Sequence, residues 1–355
     1  MTTSARAESR SGAIPGAIGR ALATAYEREI GRRNRRYDAG VGVVHVGRPV
    51  ISVGNLSVGG TGKTPLVTWI VRRLLDEGRR PCIAMRGYRA KGGIADEAAI
   101  YRKRFLDLPI VAQPDRTKGL EELFATSEGR GVDCVVLDDG FQHRRIARDL
   151  DIVLVDATRS PFEDALLPSG WLREPVTSLE RAGAVVITHA EHASDRVETL
   201  RAQVGELAPG VSIGVTRHEW TGLDVQRHTE DEDLPLEWLE GQKALAVCAI
   251  GNPDAFLAEA ERLLGDRLVG AVTLRDHDRY ERGTVHRLMR RARSSGADVI
   301  LTTEKDWVKL ARVPAAEWPC SVARPRLELS FDEGGETLAT LVSEAAGVGV
   351  GAQRP

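Results

Sequence analysis

The chain has 355 residues, enough for one large or two medium domains with a real core, and its 42% hydrophobic and 28% charged content is ordinary for a soluble globular protein. A formal net charge of -2 gives no field that would gather nucleic acid, and no apolar run approaches the ~18 residues that a membrane-spanning helix needs. Cys82, Cys134, Cys248 and Cys320 lie far apart, each in or beside an apolar run, so they are expected to be reduced core thiols of a cytosolic protein, with no CxxC pair and no Cys/His cluster.

Between Arg6 and Arg36 eight arginines (6, 10, 20, 28, 32, 33, 35, 36) face only Glu8, Glu27 and Glu29. In the same stretch Ile14, Ile18, Leu22, Tyr26 and Ile30 recur every four residues, which predicts a helix over 13–33 with one slowly winding apolar stripe. Arginine beside a narrow apolar face suits a helix lying on an anionic bilayer surface. It suits equally a helix packed on its own domain with a solvated basic side. The N-terminus lacks the continuous apolar core of an export signal.

From residue 49 the pattern becomes strand, turn, helix. Strands are expected at 49–54, 81–87, 108–113, 132–139, 151–157, 182–190 and 211–216, with amphipathic helices at 63–77 and 193–207. The runs are continuously apolar rather than alternating, as parallel strands covered on both faces require. The expected fold is α/β, a P-loop NTPase-like, doubly wound and mostly parallel sheet. The polar, acidic "QRHTEDEDLP" (226–235) reads as a linker or long loop. Alternation restarts at 243–251, with helix 253–264, strand 268–274, helix 281–295, a strand-like run at 298–306 and another at 325–330: a second, smaller α/β unit. The expected division is a basic lead-in over 1–48, a P-loop domain over 49–225, the smaller domain with linker strands over 226–340, and a disordered tail over 341–355.

"GGTGKT" (59–64) sits between an expected strand and an expected helix and matches the core of a Walker A phosphate loop. Ser57, Val58, Gly59, Gly60, Thr61, Gly62, Lys63 and Thr64 are the expected nucleotide-binding residues. Glycines let backbone amides turn inward around phosphate, and the next helix points its positive end at it. Lys63 is expected to bridge the β- and γ-phosphates, and the Thr64 hydroxyl to bind Mg²⁺. The strict pattern wants glycine where this chain has Ser57. "VDCVVLDDG" (132–140) is the natural Walker B partner, an apolar strand with two carboxylates at its carboxyl end. One of Asp138 and Asp139 is expected to hold Mg²⁺ and the other to position it or a catalytic group. The guanine reader of GTPases and the signature lysine of ParA/MinD-like ATPases are missing, which leaves a kinase or a nucleotide-dependent ligase.

Eight blocks, "VGNLSVGGTGKTP", "RGY", "DEA", "LDDGFQH", "LPSGWLREP", "IGNPDAF", "RDHDRY" and "TTEKDWVKL", follow the order of the tetraacyldisaccharide 4'-kinase family, and the chain resembles that family over about residues 45–310. The resemblance implies an ATP- and Mg²⁺-dependent kinase that moves the γ-phosphoryl to the 4'-hydroxyl of the lipid A disaccharide 1-phosphate. It implies a peripheral protein of the cytoplasmic face of the inner membrane, docked through its N-terminal helix. It also implies two α/β domains joined by two strands, for which 211–218 and 325–330 are the natural pair. Carried over by position, Asp96 is the base for the 4'-hydroxyl, with His277 as its partner across an interdomain cleft. Arg173 faces anionic phosphate of ATP or lipid, Gln142 and His143 line the same pocket, and Lys63 and Asp139 complete the catalytic set beside the metal pair Thr64 and Asp138. Ala95-Asp96-Glu97-Ala98 stands where the family often has Gly-Asp-Glu-Pro. The rival readings are a P-loop kinase with a soluble acceptor and a non-catalytic, nucleotide-switched regulator.

Overall fold

A strand apolar at every position needs cover on both faces, and the run at 49–54 receives it. β1 (Val50–Asn55) is buried along its whole length: Ile51 and Val53 enter one core, Val50 another. The structure, a computed structural model, describes residues 13–87, 96–227, 230–276 and 278–347, without the side chains of Asp96, Glu97 and Glu230.

In chain order, α1 (Gly16–Asp38) precedes β1 and α2 (Lys63–Asp76) follows it; then come β2 (Pro81–Met85), α3 (Asp96–Arg104), β3 (Ile110–Ala112), α4 (Arg116–Ala125) and β4 (Cys134–Asp138). Next are β5 (Leu150–Asp156), β6 (Ala184–Thr188), α5 (Val197–Leu207), β7 (Ser212–Arg227) and β8 (Glu230–Leu234). The remainder is β9 (Ala244–Cys248), α6 (Pro253–Leu264), β10 (Leu268–Thr273), α7 (Arg282–Ser295), β11 (Val299–Thr302), α8 (Glu304–Leu310), β12 (Ser321–Glu333) and α9 (Gly335–Gly347).

The described strands form one sheet in the order β10-β9-β11-β12-β7-β6-β5-β1-β4-β2-β3, with β8 on β7. Neighbours are parallel except β12 with β7 and β7 with β8. β1 lies between β4 and β5, so the chain winds away from β1 in both directions, and a crevice opens beyond the carboxyl ends of these strands. α2 covers one face through Leu66, Val67, Ile70 and Leu74, together with Leu338 and Val342 of α9. α4 and α5 cover the other face through Leu120 and through Val197, Leu200 and Val204.

Three expectations need correction. The stretch 226–235 is no linker: β7 runs on to Arg227 and β8 folds back on it, Leu223 opposite Leu234. Its acid run is held by arginines of β12, Arg324 Nη2 standing 2.5 Å from Asp231 Oδ2 and Arg326 pairing with Asp233. The strand at 298–306 stops at Thr302, because the Thr303 side chain accepts the amide of Asp306 at 3.1 Å and opens α8. The expected tail begins too early: β12 carries the chain back along β7, and α9 buries Val342, Ala345 and Ala346 in the core around α2. The guessed strand pair is present and longer than expected, β12 running antiparallel to β7 from Val322↔Gln226 to Glu333↔Val215.

Candidate active site

Past Asn55 the chain does not turn at once. Arg173 N donates to Leu56 O at 2.7 Å, Val58 N donates to Trp171 O at 2.8 Å, and Ser57 bridges Leu172. Extended backbone suits any residue, so Ser57 serves where a tighter loop would require glycine. The same pairing draws "LPSGWLREP" against the phosphate loop. The turn itself comes at Gly62, φ 81, directly before α2. Only glycine fits there, for conformation and for space: a Cβ would lie 2.7 Å from the ring of His218. Among the described residues none accepts a hydrogen bond from the amides of Gly59, Gly60, Thr61 or Gly62. Those donors and the positive end of α2 make an anion cradle that fits phosphate.

β4 brings the carboxylates to the same rim. Asp139 stands in the left-handed region at φ 53, and Arg116, nearly fully buried, donates from Nη1 to its carbonyl at 3.1 Å. Lys63 Nζ is 3.3 Å from Asn55 Oδ1 and 3.5 Å from Asp139 Oδ1. Arg173 Nη1 donates to both Asp139 oxygens, at 2.9 and 2.8 Å, and to Gln142 Oε1 at 3.4 Å. Burial alone would raise the Asp139 carboxyl; the charges of Lys63 and Arg173 overcome that and hold it well below the usual carboxylate range. Asp138, buried at the end of β4, accepts from the Tyr101 hydroxyl at 3.0 Å. Burial and then the charges of Arg116, Arg148, Arg33 and Arg145 lower His143 to about 4, so it is neutral at physiological pH.

Two distant parts of the chain close on this site. Gly251, in "IGNPDAF", lies so near the loop that a Cβ on it would sit 2.4 Å from Gly60 N. Its carbonyl accepts from Arg159 Nη1 at 2.7 Å, while Asn252 Nδ2 donates to Asp156 Oδ2 at 3.2 Å. From the other end of the chain, the Tyr26 hydroxyl of α1 donates to Arg173 O at 2.9 Å, and Arg33 donates to Gln142 O.

The profile of the Tetraacyldisaccharide-1-P 4'-kinase family matches residues 17–344. The chain belongs to the tetraacyldisaccharide 4'-kinase family. It is 36% identical over 334 residues to a tetraacyldisaccharide 4'-kinase of Anaeromyxobacter sp. (strain K), covering 88% of this chain and 86% of that one. A second relative, from Anaeromyxobacter dehalogenans (strain 2CP-1 / ATCC BAA-258), is 39% identical over 305 residues, covering 80% and 78% of the two chains. In structure the chain is similar to LpxK from Aquifex aeolicus, solved in complex with ATP, with a TM-score of 0.67 and 29% identity, across 91% of this chain and 97% of that one. The family activity is ATP-dependent phosphorylation in lipid A biosynthesis, and both rival readings give way to it.

Tetraacyldisaccharide 4'-kinase chemistry needs a triphosphate site and an aimed acceptor, and the expected phosphate-site residues lie together. Lys63, Thr64, Asp138, Asp139 and Arg173 share one rim. Arg173, expected to face phosphate, pairs with the Asp139 carboxylate at this rim. Asp96 is the first residue of α3, with its side chain outside the described residues; His277 lies outside them altogether. Arg104 Nη2 of α3 is 2.6 Å from Glu304 Oε2 of α8, and the adjacent Lys305 Nζ is 3.8 Å from Asp276 Oδ1. Sequence reasoning missed Asn55, Tyr101 and Arg116. Arg116 alone carried a signal, an arginine at a helix start just after a strand's carboxyl end.

Proposed function

We propose that the residues gathered at this rim divide the kinase reaction as follows. The amides of residues 59–62 and the Lys63 ammonium hold the β- and γ-phosphates of ATP. Thr64 and Asp138 hold Mg²⁺, which supplies charge neutralisation across the phosphates when bound. The donor set fits that ion: a hydroxyl and a carboxylate are hard oxygen ligands. Asp139 sets the positions of Lys63 and Arg173 and keeps both cations at the rim. Asp96 orients the 4'-hydroxyl of the tetraacyldisaccharide 1-phosphate, and His277 steadies Asp96 or passes its proton on. The chain is read as two α/β halves joined by β7 and β12, with the acceptor groups drawn from both.

The observation that carries this reading is the bond from Tyr101 to Asp138. Tyr101 stands five residues after Asp96 on α3, about 7.5 Å of helix rise, so the bond ties the helix bearing Asp96 to the strand bearing the metal carboxylate. The test is Asp96→Asn. Phosphoryl transfer is expected to fall roughly 10²–10⁴-fold while binding of a fluorescent ATP analogue stays within about twofold. Lost nucleotide binding, or unchanged transfer, would reject the acceptor role.

For the lipid substrate we propose surface docking through the start of α1. No helix among the described residues is long and apolar enough to cross a membrane. Ile14, Ile18 and Leu22 are 40%, 72% and 46% exposed, with Arg20 beside them. Apolar side chains with arginine at their edge suit the headgroup boundary of an anionic bilayer on the cytoplasmic side.

A further inference from the structure

We propose that His189, Glu191 and His218 form a site for a divalent metal of the zinc class behind the phosphate loop. The sequence shows no such cluster, because 27 residues separate Glu191 from His218. The fold makes it: His189 follows β6, and His218 stands on β7, the next strand of the sheet. The two rings lie 4.3 Å apart between centroids. Glu191 Oε1 is 3.6 Å from His189 Nδ1 and 3.9 Å from His218 Nδ1, and one donor atom from each of the three residues falls within 4.8 Å of the others.

Burial points to a ligand. His189 and His218 are each only 8% exposed, and none of their four ring nitrogens has a hydrogen-bond partner. Buried polar atoms in folded proteins are paired, so four bare nitrogens on adjacent rings call for something to bind. Zinc holds imidazole nitrogen at about 2.0–2.1 Å and carboxylate oxygen at about 2.0–2.2 Å in a tetrahedron, so its ligand atoms sit roughly 3.3–3.5 Å apart. The Glu191 oxygen already stands near that spacing from both rings. Asp156 Oδ2 lies 3.9 Å from His189 Nε2, too far for a hydrogen bond in this structure but on the side where an outer carboxylate would orient the ring once an ion is bound. His192 Nε2, 3.6 Å from Glu191 Oε1, is a further ligand within reach.

The site is separate from the Mg²⁺ pair on Thr64 and Asp138 and differs from it in donor type. It adjoins the nucleotide site through one contact: the His218 ring fills the space beside Gly62. An ion that fixes His218 therefore also fixes the floor of the phosphate loop.

The test uses the untagged full chain, stripped with a chelator and titrated with Co²⁺ in excess Mg²⁺. Uptake of one equivalent is expected, with the visible absorption of a four-coordinate ion, displaced by Zn²⁺. His189→Gln and His218→Gln should each weaken uptake by roughly 100-fold, and Asp156→Asn by about tenfold. Zinc-edge X-ray absorption on the wild-type chain needs no variant and should show two imidazoles with oxygen. Absence of stoichiometric uptake, an all-oxygen shell, or uptake unchanged in a folded His189→Gln/His218→Gln double variant would overturn the site. Loss of ATP affinity in His189→Gln, with no metal taken up by the wild type, would give the cluster to the purine base instead. None of these outcomes bears on the acceptor role of Asp96.

Discussion

Asp139 carries two separable loads. Its backbone takes a left-handed turn that asparagine tolerates and alanine does not, and its charge holds Lys63 and Arg173. Asp139→Asn is therefore expected to fold with little loss of stability while transfer drops roughly 10²-fold or more, measured by unfolding and turnover on the same preparation. Asp139→Ala should lose stability as well, by about 1 kcal/mol. His143 makes a different prediction, in pH. Its folded pKa of about 4 lies below the ordinary 6.5, so the unfolded chain takes the proton first as pH falls. Stability is full above the ordinary value and declines from there toward pH 4, by up to about 3 kcal/mol. Urea unfolding between pH 7 and 4 should show that decline, and His143→Asn should flatten it. Lys63, Asp138 and Asp139 were legible as neighbours in the sequence, because phosphate chemistry suggests those types beside a glycine turn and a strand's carboxyl end. Tyr101 and Arg116 were not, because a buried tyrosine and a buried arginine become site residues only when the sheet brings β4 to them.

α1 shows how one periodic pattern serves two surfaces. Residues four apart advance 400° around a helix, a drift of 40° per step, so from Ile18 to Ile30 the stripe turns by about 120°. Its far end faces the protein: Ile30 is buried and Tyr26 bonds Arg173. Its near end faces outward at Ile18 and Leu22. The packed reading thus holds on the inward arc, and the outward arc is the surface proposed above to meet a bilayer. Ile18→Asp with Leu22→Asp should reduce co-sedimentation with anionic vesicles several-fold and leave the melting temperature within a degree or two. An unchanged vesicle fraction would leave α1 as a packing element alone. α9 was illegible for the opposite reason: a Gly/Ala-rich stretch near the end of a chain looks unstructured until β12 returns it to α2. Leu338→Ala should cost about 2–4 kcal/mol in denaturant unfolding, as a fully buried leucine in a shared core does.

At the scale of the described chain, a single sheet runs from β10 to β3 through the long β7–β12 pair. The α/β class and most of the parallel strands followed from unbroken apolar runs. The antiparallel join did not, since β7 alternates buried and exposed residues only after Thr216 and reads as two shorter pieces. The chain after β8 meets the phosphate loop through Gly251 and α3 through Glu304. Arg104 and Glu304 are 17% and 21% exposed, so their pair is little screened by solvent. Glu304→Gln is expected to lower kcat about tenfold with nucleotide affinity unchanged, since it loosens α3 and not the P-loop.

The central claim is that one rim holds a triphosphate and aims a sugar hydroxyl at its last phosphorus. ATP labelled at the γ-phosphate, supplied with tetraacyldisaccharide 1-phosphate and Mg²⁺ in detergent, tests it directly. The wild-type chain should yield labelled bis-phosphorylated lipid, and Lys63→Ala almost none. Labelled inorganic phosphate with no labelled lipid, at any lipid concentration, would contradict it.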